Sequence, residues 1–222
     1  MKKQLTCAAL ALMPFAASAA TIVTSYGTVT GANDGDQAGP MFGQGITVNV
    51  GADTADASIP STVYLDQLSF QSTSSGVGIG TATVYIHVYD AFDVDGTNAP
   101  SVIGNLVAVS STTIDLSAVG ANETMTWDFA GEGIDKSSTY YYVLATDTNA
   151  ATVGDSANLT GSGFELNTGN QYTGGQGYRA NGTTTDWDLE FELVTSTAVP
   201  EPSSTALLGC VGVLALFRRR RA

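Results

Sequence analysis

The stretch Trp187-Asp188-Leu189-Glu190-Phe191-Glu192-Leu193-Val194 alternates apolar and acidic side chains with a period of two. Successive residues of an extended chain point to opposite faces, so Trp187, Leu189, Phe191 and Leu193 share one face and Asp186, Asp188, Glu190 and Glu192 the other. A helix would mix the two sets around its circumference. Residues 187–194 therefore read as one strand with a buried face and a wet face. Residues 81–90 repeat the pattern, with Val84, Ile86 and Val88 on one face and Tyr85, His87 and Tyr89 on the other. Further strands are expected at 46–50, 63–70, 102–111, 123–129 and 139–146, with shorter ones near Tyr26, Ile114, Phe164 and Tyr178. Gly, Asn, Asp and Ser clusters separate them, including Gly-rich turns at 76–80 and 173–177, and no amphipathic stretch of helical length competes. Roughly eight to eleven strands at this spacing predict an all-β fold, an antiparallel β-sandwich of jelly-roll-like form rather than an up-and-down barrel. The expected inward anchors are Leu68, Phe70, Val84, Ile86, Val88, Trp127, Phe129, Val143, Trp187, Leu189 and Phe191.

Charge narrows the function. The chain of 222 residues has a formal net charge of −13, and between residues 20 and 199 only Lys136 and Arg179 are basic, against 20 acids. Phosphate recognition needs clustered cations, so nucleic acid is excluded as a partner of this body. Cys7 and Cys210 fall in the terminal segments, and His87 is the single histidine. Such a body can form no internal disulfide and has too few nitrogen and sulfur ligands for a zinc, haem or iron–sulfur centre. A Ser-His-Asp triad would have to use His87, which sits in a strand pattern without a G-x-S-x-G elbow. No catalytic residues are assigned, and the expectation is a protein without enzyme activity.

The two ends read as addresses. Residues 1–19 combine Lys2 and Lys3, an apolar run over 5–15 and the small residues Ala17, Ser18 and Ala19, which is the form of a secretory signal peptide. The mature chain is expected to begin at Ala20 or Thr21. At the other end, Pro200-Glu201-Pro202 precedes an apolar run over 205–217 and the basic cluster Arg218, Arg219, Arg220 and Arg221. Thirteen helical residues reach ~20 Å, short of a ~30 Å hydrocarbon core unless the flanks snorkel or the bilayer thins. After a secreted body, the arginines should stay on the cytoplasmic side and hold the Pro-Glu-Pro segment at the outer face. Two prolines around Glu201 remove backbone donors and favour an extended, accessible segment.

In these residues the chain resembles the PEP-CTERM family of bacterial exported proteins, through Pro200-Glu201-Pro202, the 205–217 span and Arg218 to Arg221. The resemblance covers about 24 residues and implies nothing about the fold upstream. It implies processing by an exosortase-type membrane protease and export linked to extracellular polysaccharide or biofilm matrix. The expected organisation is a signal peptide over 1–19, a β-sandwich body over 20–198 and a sorting and membrane segment over 199–222, with hydrophobic helical segments at both ends. The chain is then exported to the cell envelope or extracellular matrix after transient membrane anchoring.

Three features of the body are candidates for chemistry. Asp90-Ala91-Phe92-Asp93-Val94-Asp95-Gly96-Thr97-Asn98 gathers hard oxygen donors around a turn, the donor type that Ca²⁺ takes. Asp93, Asp95 and Asn98 are the metal-ligand candidates for a structural Ca²⁺, with Asn33, Asp34 and Asp36 available from a second loop. The pattern is not an EF-hand, because Gly96 comes fourth from Asp93 and Gly104 stands at the twelfth position. A solvated acidic turn is the competing expectation. Tyr85, His87 and Tyr89, with Tyr140 and Tyr142 elsewhere, are candidates for stacking sugar rings, as in a carbohydrate-binding module, against ordinary strand packing. The run Asp186, Asp188, Glu190, Glu192 resembles the E-x-D-x-E strand of laminarinase-like jelly-roll glycosidases, except that Asp186 replaces the expected nucleophilic Glu and the remaining family context is absent. A solvated acidic face produces the same alternation.

Overall fold

The computed structural model describes residues 20–27, 41–48, 59–73, 83–94, 100–146, 148, 163–164, 166–168, 172–179, 184–185 and 187–197. The expected leader, the sorting tail with its hydrophobic segment and the turn at 76–80 lie outside them. The chain forms β1 (Thr21–Tyr26), β2 (Met41–Thr47), β3 (Thr62–Gln71), β4 (Thr83–Tyr89), β5 (Phe92–Val94) and β6 (Pro100–Ile103). It continues through β7 (Leu106–Val109), β8 (Ile114–Asp115), β9 (Thr124–Asp128), β10 (Gly133–Asp135) and β11 (Thr139–Ala145). The last strands are β12 (Leu166–Thr168), β13 (Gly177–Arg179), β14 (Thr184–Thr185), β15 (Trp187–Leu189) and β16 (Phe191–Ser196). Among the described residues there is no α-helix. A single 3₁₀ turn, Leu116–Ala118, is capped by Asp115, whose carboxylate accepts the Ser117 N–H at 3.0 Å.

The fold is mostly β, with two antiparallel sheets, one of them curled into a half-barrel. The first runs β1-β16-β3-β10, with β9 also on β3. The second runs β14-β13-β2-β11-β4-β7, with β8 also on β4. Two ribbons, β12–β15 and β5–β6, complete the pairing. Period-two alternation puts the rungs Thr24, Leu193, Leu68, Trp127 and Tyr26, Phe191, Phe70, Met125 on one face of the first sheet. All of these are buried except the half-buried Tyr26, whereas Val23 on the opposite face is 53% exposed. The two sheets contribute to one hydrophobic cluster, in which Trp127 donates its indole N–H to the Val84 carbonyl at 3.1 Å and so satisfies its polar atom while its ring is fully buried. Phe70 meets Trp127 and Phe164 edge-on, with centroids 5.9 and 6.0 Å apart.

Four sequence expectations change in detail. The single strand at 187–194 is two: β15 pairs with β12, the chain breaks step at Glu190, and β16 enters the first sheet between β1 and β3. The strand expected at 46–50 lies earlier, at β2. Gly43 and Gly45 there let neighbouring backbone come close: a Cβ on Gly43 would sit 3.0 Å from the Tyr142 carbonyl oxygen and one on Gly45 3.3 Å from the Gln176 backbone nitrogen. The strand expected at 102–111 divides into β6 and β7 around Gly104 and Asn105. Asp90 holds that turn, accepting the Asn105 backbone and side-chain N–H groups at 2.7 Å each. Finally, the second sheet has no fully wet face, because the side of β4 away from Val84, Ile86 and Val88 is covered as well.

Candidate functional site

Two of the acids expected on a wet face are buried. Asp188 is 0% exposed and Glu190 1%, while Glu192 is half-buried and Asp186 lies outside the described residues. This corrects the solvated-face expectation for Asp188 and Glu190. A buried carboxylate persists only where donors replace its water. Asp188 Oδ1 accepts the Gln44 side-chain N–H at 3.0 Å, and Oδ2 accepts the Tyr172 backbone N–H at 3.1 Å. Gln44, itself fully buried on β2, returns its Oε1 to the Leu189 N–H at 2.9 Å. Glu190 fills the space over Gly27, where a Cβ would lie 2.5 Å from its Cγ, and Gly27 takes a φ of +71°.

Tyrosines ring this pair. Tyr172 packs edge-on against Phe191 at 5.0 Å, lies 5.9 Å from Tyr26 and donates its hydroxyl to the Thr47 carbonyl at 2.8 Å. Burial first, then the Asp188 and Glu190 charges, raise the Tyr26 pKa. Burial likewise raises that of Tyr172. Tyr142 faces the same interior from β11, as cross-strand neighbour of Gln44, and its buried hydroxyl has no hydrogen-bond partner among the described residues. The cluster holds its carboxylates in place but presents neither acid to solvent.

The sugar-stacking candidates divide. Tyr85 is half-buried, but His87 and Tyr89 are 0% exposed, so neither presents a ring face to solvent. His87 Nδ1 lies 3.0 Å from the Tyr89 hydroxyl. Phe92 from β5 stands 6.2 Å from Tyr89 and 5.2 Å from Tyr178, and Tyr178 meets Tyr141 at 5.8 Å. These rings form an aromatic layer on the outer side of β4, and Val143, expected among the inward anchors of the main core, belongs to this layer by its pairing with His87. Of the other two tyrosines, Tyr140 is half-buried and accepts the Asp135 N–H at 3.1 Å, tying β11 to β10 across the two sheets.

Of the metal-ligand candidates, Asp93 lies in β5 opposite Val102, while Asp95 and Asn98 lie outside the described residues, as do Asn33, Asp34 and Asp36. Among the described residues no three His, Cys, Asp or Glu side chains come together as a metal site. The acid that organises this loop is Asp90, which sequence reading left as one donor among several.

Pro200, Glu201, Pro202 and Arg218 to Arg221 also lie outside the described residues, but the point where the tail leaves the body is defined. β16 ends at Ser196, opposite Thr21, and beyond that rung the Thr197 N–H donates to the Ala20 carbonyl at 3.0 Å while the Ala20 N–H donates to Thr197 Oγ1 at 3.0 Å. The expected leader junction and the root of the tail thus form one terminal clasp.

Residues 198–221 match the family of the PEP-CTERM protein-sorting motif. The match covers the tail, and the body upstream belongs to no family that this comparison assigns. No curated protein and no solved structure matches the chain. The motif implies an exported protein sorted to the cell surface and processed by exosortase.

Proposed function

We propose that the chain is a non-enzymatic structural protein of the cell surface or extracellular matrix, carried out by an N-terminal signal peptide, held transiently in the membrane by its tail and released from it by exosortase, in a setting of exopolysaccharide or biofilm. The observation that carries this reading is the ordered tail matched over 198–221: Pro-Glu-Pro, apolar run, arginines. The burial of Asp188 and Glu190, with both Asp188 oxygens taken up by Gln44 and the Tyr172 backbone, supports a scaffold over a hydrolase.

The finer fold reading belongs to the same proposal. β1, β16, β3 and β9 form one set of neighbours and β2, β11, β4 and β7 the other, and the chain crosses between the sets at every step except β4 to β7, an order that supports a jelly-roll sandwich. The test of the sorting half is replacement of Arg218, Arg219, Arg220 and Arg221 by uncharged residues. Misrouting or release of unprocessed chain is expected; unchanged processing and location would refute it.

A further inference from the structure

The sorting reading says where the tail sends the protein, and the terminal clasp says how the body is held on the way. Resting on that reading, we propose that the body stands end-on at the membrane while anchored, with the Ala20/Thr197 end of the first sheet facing the lipid headgroups and the Gln71/Thr124 end pointing away. From Thr197 to the start of the apolar run at Thr205 there are eight residue steps, at most ~28 Å whatever their conformation. β3 is 10 residues long, so Thr62 near the clasp and Gln71 at the far end are separated by ~30 Å. At full extension the tether only about equals the height of the sheet, so inverting the body would require the tether to be fully stretched.

The clasp keeps that tether short. Six cross-strand pairs join β16 to β1 and six join it to β3, so the strand that carries the tail is anchored on both sides. The expected leader junction at Ala20 leaves from the same end, which gives an unprocessed chain two attachments there and none opposite. Among the described residues of that end, 20–21, 59–62, 135–138 and 196–197 carry one acid and one base, Asp135 and Lys136, and Asp66 reaches in from β3 to accept from Ser196 at 3.2 Å. Lying flat on the outer face of the first sheet would press Asp128 and Glu192, which alternate with the inward Trp127 and Leu193, toward the headgroup layer and strip water from their carboxylates.

The test uses the full chain, in cells lacking exosortase, with Cys210→Ser and a single introduced thiol at Thr62→Cys or Thr124→Cys, both exposed positions. Each is labelled with a donor dye, and energy transfer to a rhodamine lipid in the membrane is read. Transfer from position 62 should exceed transfer from position 124 by about twofold or more, as a ~30 Å height difference requires. The difference should vanish when a flexible segment of about twenty Gly and Ser residues follows Thr197, since such a linker lets the body tumble without altering it. Equal or reversed transfer in the membrane-bound chain would overturn the end-on orientation, and a difference that survives the inserted linker would overturn the tether as its cause. A chain recovered only in the soluble fraction would instead overturn the anchored reading beneath both.

Discussion

Asp188 illustrates how hydrogen-bond direction fixes a buried residue. Both its oxygens accept, from Gln44 and from the Tyr172 backbone, and Gln44 cannot turn its amide round because its Oε1 already takes the Leu189 N–H. Asp188→Asn would place an amide N–H against one of these donors. A loss of about 1–3 kcal/mol is expected in urea denaturation, with the m-value unchanged. The two buried tyrosines make a complementary pair. Tyr172→Phe loses the bond to Thr47 and should cost about 1 kcal/mol, whereas Tyr142→Phe removes a hydroxyl that has no partner among the described residues and should be neutral or stabilising. If both substitutions cost the same, the hydrogen-bond assignment here is wrong.

At the scale of elements, glycine positions and loop carboxylates give the clearest tests. A Cβ on Gly175 would run into the Gly45 backbone, and one on Gly27 would meet the flexible Glu190 side chain from a left-handed backbone. Gly27→Ala should cost about 1–2 kcal/mol from the backbone conformation, and Gly175→Ala more, because a backbone neighbour cannot swing aside. Thermal denaturation of the two variants reads the order. Hydrogen bonds from Asn105 lower the Asp90 pKa, and those from Ser137 lower that of Asp135. A lowered carboxylate pKa contributes stability that is present above the unfolded value of ~3.9 and lost as pH falls through the folded value. Asp66 is opposite in sign. Burial raises its pKa against the bond from Ser196, so its contribution is favourable below the unfolded value and is lost as pH rises through the folded one. Asp90→Asn should therefore flatten the acid limb of the stability profile below pH ~4, and Asp66→Asn should raise stability at neutral pH. The reverse pattern in pH-dependent unfolding would contradict both assignments.

The elements also show what the sequence made legible. Alternation in 187–194 identified Leu189, Phe191 and Leu193 as a buried set, and all three are buried. It could not reveal the break at Glu190, because a period of two is the same whichever sheet a strand joins. Nor could it reveal that Asp188 is covered, since its cover comes from Gln44, 144 residues away, and from the Tyr172 loop. His87 and Tyr89 were correctly placed on the face opposite Val88, but the burial of that face depends on Phe92 and Tyr178, whose approach is tertiary. The tail was legible for the contrary reason: a sorting signal is read by another protein as a linear motif, so it is written in local order alone.

The whole molecule joins a cysteine-free β body to a sorting address. Thr21 opposite Ser196, closed by Ala20 and Thr197, brings both ends of that body to one point, and everything proposed about sorting acts there. The most direct test of the central claim is the mass of the intact protein recovered from the cell surface of a host with exosortase and of the same host without it. Cleavage near Pro200-Glu201-Pro202 should remove the apolar run and Arg218 to Arg221 in the first host and leave both in place in the second. A surface protein that retains Arg218 to Arg221 in both hosts would contradict the account.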